Sequence, residues 1–266
     1  IMTYNIPMGN IPAVGLNTWA NRCIGLQAYI NGVQPDLLGL QEPVRTELMN
    51  LLSGMPGYSM IGQARDDGYE SGEYSPILYN THRLYAEKWG TYWLSKTPEV
   101  VSKNWNSACN REATWAIFRD KVTQARFLYT NTHLDHKSDS ARENQMKVIK
   151  TRMKQIIAEN GMMPMMLTGD FNVAQDDELY TLFTESGVLK DCYTNAAQRF
   201  AENGTYNAFK PSRFTTERID HIFVTPATTV EAYAVRTDSR WQEEPDGKVL
   251  RRNFSDHYPI FARIRF

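Results

Sequence analysis

The chain has 266 residues, 42% of them apolar, enough for one substantial core and short of what two independent domains ordinarily need. Its 29 basic and 30 acidic side chains leave a net charge of −1, which lacks the strong basic excess of a protein that tracks long nucleic acid. No run of about 18 apolar residues exists, so a transmembrane helix is excluded.

A strand over Ile1 to Ile6 opens the chain, and a helix follows over Trp19 to Asn31, carrying Ile24, Leu26, Ala28, Tyr29 and Ile30. Strands are expected over Asp36 to Gln41, Ser75 to Asn80, Thr114 to Arg119 and Arg126 to Thr132. A second helix spans Ser140 to Glu159. There Met146, Ile149, Met153 and Ile156 recur at three- and four-residue steps, and Ser138 or Asp139 can cap its start. A strand over Met163 to Thr168 and a short helix over Glu178 to Thr184 come next, then strands over Ile219 to Val224 and Tyr258 to Phe266. Several strands are continuous apolar runs, which suits strands covered on both faces. No repeat, low-complexity tract or linker divides the sequence, so one domain over residues 1–266 is expected.

Cys23, Cys109 and Cys192 form no CxxC pair, so a cysteine zinc site is not expected. Two of them can pair in a disulfide, or all three can be plain buried thiols. The Met162, Met163, Met165 and Met166 cluster reads as core packing, because thioethers are poor ligands for hard cations. The sequence starts at Ile1 and not Met, which reads as a processed product and leans towards export, with a cytoplasmic location left open.

Six segments share one pattern, an apolar run ending in residues able to bind a metal or a phosphate. They are MTYNI with Asn5, LLGLQEP with Glu42, YTNTHLDH with His133 and Asp135, MLTGDFN with Asp170 and Asn172, RIDHIFV with Asp220, and SDHYPI with Asp256 and His257. Each alone is a turn or a cap as readily as a site. Strand ends of a layered α/β protein converge on one edge, so six together point to a single site.

In this order the segments resemble the endonuclease/exonuclease/phosphatase superfamily, which includes deoxyribonuclease I-like nucleases, abasic-site endonucleases, deadenylases, sphingomyelinases and inositol polyphosphate 5-phosphatases. The resemblance runs from Asn5 to His257. GDFN followed by a distant SDH is its most specific part, and the QE after LLGL strengthens it. It implies an α/β (α+β) fold, a four-layer αββα sandwich of two mixed β-sheets flanked by helices. REATWAIFRD, NTHLDH, LTGDFN and RIDHIFV place the chain closest to a poorly characterised bacterial branch, nearest the deadenylase-like members.

The resemblance also implies roles. Glu42 is the main ligand of Mg²⁺ or Mn²⁺, hard cations that prefer carboxylate oxygen. Asn5 supports it, and Asp256 serves a second metal position or braces the site. Asp170 orients or deprotonates the attacking water, and Asn172 donates its amide to the phosphate. His133 and His257 share the charge of the transition state. Asp220 binds the far nitrogen of His257 and fixes its tautomer. Arg111 can grip the phosphate with a bidentate fork. Asp135 and His136 read as a polar loop after a strand, and Glu73 reads equally as pocket wall or loop carboxylate.

The expected activity is therefore metal-dependent phosphoester, foremost phosphodiester, hydrolysis by in-line attack of water. Short or single-stranded nucleic acid is the first substrate class, and a small phosphorylated sugar or lipid headgroup the alternative. Trp93, Trp105, Tyr206, Phe209, Phe214 and Trp241 are loop rings on which bases can stack, at ~1–3 kcal/mol each. A monomer is expected. A catalytically silent binding protein is the non-enzyme alternative. A zinc hydrolase built on the histidines lacks the HExxH spacing.

Overall fold

The computed structural model describes residues 1–7, 17–185, 187–200, 202–244 and 246–266. In chain order these form β1 (Met2–Asn5), α1 (Trp19–Val33), β2 (Leu37–Gln41), α2 (Arg45–Ser53), β3 (Tyr58–Ile61), β4 (Ile77–Asn80), β5 (Leu84–Trp93), β6 (Glu112–Asp120) and β7 (Arg126–His133). Then come α3 (Asp139–Asn160), β8 (Met165–Asp170), a 3₁₀ turn Glu178–Tyr180 running into α4 (Thr181–Thr184), β9 (Lys190–Asp191), α5 (Cys192–Asn195) and β10 (Gln198–Phe200). β11 (Asp220–Val224), β12 (Thr229–Val235), β13 (Ser239–Glu243), β14 (Val249–Asn253) and β15 (Ile260–Arg265) complete it.

The strands build a seven-stranded sheet in the order β10-β12-β15-β1-β2-β4-β3 and a six-stranded sheet in the order β5-β6-β7-β8-β11-β9. β13 and β14 form a separate hairpin. Both large sheets are mixed: β1 runs parallel to β2 but antiparallel to β15, and β7 runs parallel to β8 while β11 is antiparallel to it.

The period-two alternation of side chains makes the layers. In β2, Leu38 and Leu40 join Met2 and Tyr4 against Leu26 and Ile30 of α1 and Leu48 and Leu51 of α2. Leu37 of the same strand faces the other way, into the space between the sheets. In β8, Met165 and Leu167 pack against Met146, Ile149, Met153 and Ile156 of α3, while Met166 turns inward to Tyr129, Ile222 and Ile260. Helices therefore cover the outer face of each sheet and an apolar layer lies between them, the expected αββα sandwich.

Both long helices lie where the periodicity places them. Ser138 caps α3, its hydroxyl accepting from the Ala141 amide at 3.1 Å. Two apolar residues depart from their expected places: Ile24, 74% exposed, lies off the buried face of α1, and Met162, 90% exposed, lies in the connection between α3 and β8. The three cysteines are free thiols, with no disulfide.

The elements absent from the sequence reading are α2, β3, β5, β9, α5, β10, β12, β13 and β14. They are short or lie towards sheet edges, where polar residues interrupt the apolar pattern. β5 is the clearest case, with Glu87 holding both Arg119 and Arg126 across the sheet.

A polar seam beneath the strand ends joins the sheets. Gln41 donates to Asn131 at 2.8 Å and to Thr3 at 2.9 Å. Asn131 donates to the carbonyls of Leu40 and Pro76 and accepts from Thr168. Asn131 is fully buried, so Asn131→Ala strands several partners away from water. That substitution is expected to cost about 3 kcal/mol in urea denaturation; a loss near zero would show that the seam is not a structural tie.

Candidate active site

Register brings the expected residues to one level. His133 pairs with Asp170 across the parallel β7–β8 ladder, and Asp220 pairs with Asp170 across the antiparallel β8–β11 ladder. Paired residues share a face, so three adjacent strand ends present His133, Asp170 and Asp220 together. The other sheet supplies Asn5, paired with Gln41, and Glu42 just beyond. Gly169 allows the β7–β8 approach: its φ is +154°, and a Cβ there would lie 2.1 Å from the Thr132 carbonyl oxygen.

Asp170 is the hub. Its Oδ2 accepts from Asn5 Nδ2 at 2.9 Å and lies 3.5 Å from His133 Nε2 and 3.7 Å from His257 Nε2. Its Oδ1 accepts the Asn172 backbone N–H at 2.9 Å. The same Asn5 amide donates to Glu42 Oε1 at 2.9 Å, linking two carboxylates from opposite sheets. Ser255 holds the pair of strand ends together by donating to the Asn5 carbonyl at 2.6 Å. Glu42 and Asn172 adopt left-handed backbone, with φ of 74° and 50°. That conformation is uncommon for residues with a Cβ and clusters at functional sites.

His257 Nδ1 lies 2.8 Å from Asp220 Oδ2. Burial pulls its pKa down, but the charge and hydrogen bond of Asp220, with Asp170 beside it, outweigh that and hold the ring as an imidazolium. His133 has no carboxylate bonded to it. Burial, then the Arg111 and Arg65 charges, push it well below the ordinary histidine range, so it is neutral. Burial and the Asp220 charge raise Asp170 above the usual carboxylate range.

Glu42, His133, Asp170, Asn172 and His257 line a pocket of about 490 Å³ together with Arg65, Glu73, Cys109, Arg111, His136, Tyr206 and Asp256, a size suited to a small ligand. Arg111 is 3% exposed, and its Nε and Nη1 have no partner. Arg65 is paired with Glu73. Arg65 and Arg111 thus share the lining with the carboxylates of Glu42, Glu73, Asp170 and Asp256.

Two groups could hold a cation. Asp170, Asp220 and His257 offer ligand atoms within 4.8 Å of one another, but hydrogen bonds already join His257 to Asp220 and Asp170 to Asn5. In the second group Glu42 is pushed up to about 7 by burial and by Glu73, and burial raises Asp256 too. The buried Asn5 Oδ1 beside them lacks a donor. Such an under-compensated set of hard oxygens fits a divalent metal.

Several residues stand elsewhere than expected. Asp135 points away from the pocket. Its carboxylate accepts from Ser107 Oγ and from the Ala108, Lys137 and Ser138 amides, tying the loop before Arg111 to the start of α3. His136, read as loop, lines the pocket instead, as does Glu73. Asn172 donates one amide hydrogen to the Leu134 carbonyl at 3.0 Å. Trp93 is no loop ring: it ends β5, buried, with its indole N–H on the Arg65 carbonyl. Phe209 lies under the Arg22 guanidinium and Trp105 is half-buried; Phe214 is exposed on a loop, whereas Trp241, also exposed, sits on β13 and not on a loop. Tyr206 packs edge-on to His257, its ring centre 5.1 Å away.

The model of the Endonuclease/Exonuclease/phosphatase family matches residues 2–257. A mannosyl-6-phosphatase of Bacteroides thetaiotaomicron is 36% identical over 100% of this chain and 98% of its own, with a TM-score of 0.96. An endonuclease/exonuclease/phosphatase protein of Bacteroides vulgatus is 33% identical over 99% and 97%, with a TM-score of 0.87. The catalytic domain of human Nocturnin, 19% identical over 100% and 93%, shares the fold with a TM-score of 0.72. Among curated proteins no significant match was found. No described helix is long and apolar enough to cross a membrane.

Proposed function

This chain belongs to the Endonuclease/Exonuclease/phosphatase family, and from that premise we propose that it hydrolyses phosphoesters with a divalent cation, Mg²⁺ or Mn²⁺. The observation that carries this is the ring of Asn5, His133, His257 and the Asn172 amide about Asp170, in a pocket also lined by Arg111, whose Nε and Nη1 have no partner. The preferred substrate is a small phosphate monoester of the sugar type. The 36% identity to a mannosyl-6-phosphatase over the full chain supports that choice over the nucleic acid placed first from sequence, as does the balanced charge.

Glu42, Asn5 and Asp256 would hold the cation, which when bound neutralises phosphoryl oxygens and the leaving oxygen. Arg111, His133 and the free Asn172 amide hydrogen receive the phosphate. Asp170 orients a water and takes its proton as the water attacks in line with the leaving group. His257, kept protonated by Asp220, stabilises the phosphoryl charge that builds up. Single-stranded nucleic acid is the second reading, favoured by the exposed Phe214 and Trp241 rings.

A panel of sugar phosphates, RNA, DNA and phospholipid headgroups tests the proposal, wild type beside Asp170→Ala, with Mg²⁺ and with a chelator. Phosphate released from sugar monoesters and lost with the chelator is expected. Turnover only on oligonucleotides would select the second reading, and no turnover on any ester would leave a silent binding protein. Glu42→Ala should weaken Mn²⁺ binding at least ~10-fold by calorimetry; an unchanged isotherm removes Glu42 from the ligands.

A further inference from the structure

Arg111 is a cation without a carboxylate. No ion pair to it exists among the described residues. The nearby Glu73 is engaged by Arg65, and burial raises Glu112 to about 7. A buried guanidinium with two nitrogens unbonded is costly unless something anionic completes it. Its third nitrogen, Nη2, lies 3.0 Å from His136 Nδ1. Guanidinium only donates, so His136 Nδ1 must accept, and the proton of the neutral ring sits on Nε2. Burial and the Arg111 charge keep that ring neutral. Arg111, two of whose nitrogens have no partner, and His136, with its Nε2–H, thus line the pocket together, and exposed Lys137 adds charge.

Resting on the monoester reading above, we propose that Arg111 and His136 form a clamp for a terminal phosphate, and that this clamp selects monoesters over diesters. A monoester carries between one and two negative charges near neutrality and three terminal oxygens. A diester carries one charge and two free oxygens, and its second substituent falls where the clamp binds. The clamp's loop is held by Asp135, which gives that buried carboxylate a positioning role: it fastens Ala108 to the start of α3, three residues before Arg111.

The test measures KM and kcat for mannose 6-phosphate and for bis-p-nitrophenyl phosphate, and calorimetric binding of inorganic phosphate, on Arg111→Met, Arg111→Lys, His136→Leu and His136→Gln. Arg111→Met should raise the monoester KM and weaken phosphate binding by about 10- to 100-fold, the size of a lost charge-assisted contact, and affect the diester by a clearly smaller factor. Arg111→Lys should recover only part, since it lacks the fork. His136→Leu should act in the same direction, and His136→Gln, which can both accept from Arg111 and donate, should restore most of it. Equal losses on both substrates, or wild-type phosphate binding by folded Arg111→Met, would overturn the clamp. If the wild type turns over no monoester while Arg111→Met still loses phosphate, the substrate reading and the claimed selectivity both fail and only the phosphate contact of Arg111 is left.

Discussion

Asp170→Ala is expected to lower turnover about 10³-fold, the middle of the range for a positioned proton acceptor. Burial and Asp220 raise this carboxylate above the usual range, which brings its proton affinity closer to that of a working base. The Asn5 amide and the Asn172 N–H aim its two oxygens, so the base needs no reorganisation when water attacks. The fold should persist, because alanine removes a buried charge along with its hydrogen bonds. Asp170→Asn separates the effects: it keeps the shape and cannot accept the proton, so it should be nearly as slow. A folded Asp170→Asn with near-normal rate would remove Asp170 from the role of base.

His257→Ala should reduce turnover by about 10²- to 10³-fold, through loss of the donor facing the phosphoryl oxygens. It should also destabilise, and the reason is specific. His257 is the partner of Asp220 Oδ2; Asp220 is 1% exposed and its Oδ1 has no hydrogen-bond partner. Removing one member of such a buried pair costs about 3–5 kcal/mol because the other is left as an uncompensated charge. The double variant Asp220→Asn/His257→Ala removes that charge. It should regain most of the stability and none of the activity. If the double variant melts no higher than His257→Ala, the Asp220 charge is not what the histidine compensates. If His257→Ala retains near-wild-type rate, its place in catalysis is refuted.

Much of this architecture was legible in the sequence. Met165, Met166 and Leu167 form a run apolar on both faces, and a strand so composed must be covered on both sides. The long α3 followed from its three- and four-residue apolar steps and its serine cap. Asn5, Glu42, His133, Asp170, Asn172, Arg111, Asp220, Asp256 and His257 could be named because each sits at or beside a strand end, and all line or border one pocket. The strands that escaped notice, β5 and β12 above all, are only half-buried, so solvent-facing residues dilute their pattern.

Period two assigns a residue to a face of its strand, and no more. It cannot say which strand will lie alongside, because that depends on pairings between residues far apart in the chain. Gln41 and Glu42 are adjacent, yet one is buried in the seam between the sheets and the other turns to the pocket through a left-handed backbone. Asp135 and His136 are likewise adjacent, and the loop packed on α3 captures the first while Arg111 bonds the second. The sequence by itself determined the layers and named the candidate residues of the site. Only the tertiary structure decided that Asn5 of one sheet reaches Asp170 of the other, and that Arg111 is buried with no ion pair among the described residues. Both outcomes follow from how two sheets, each stable only when covered, were brought face to face.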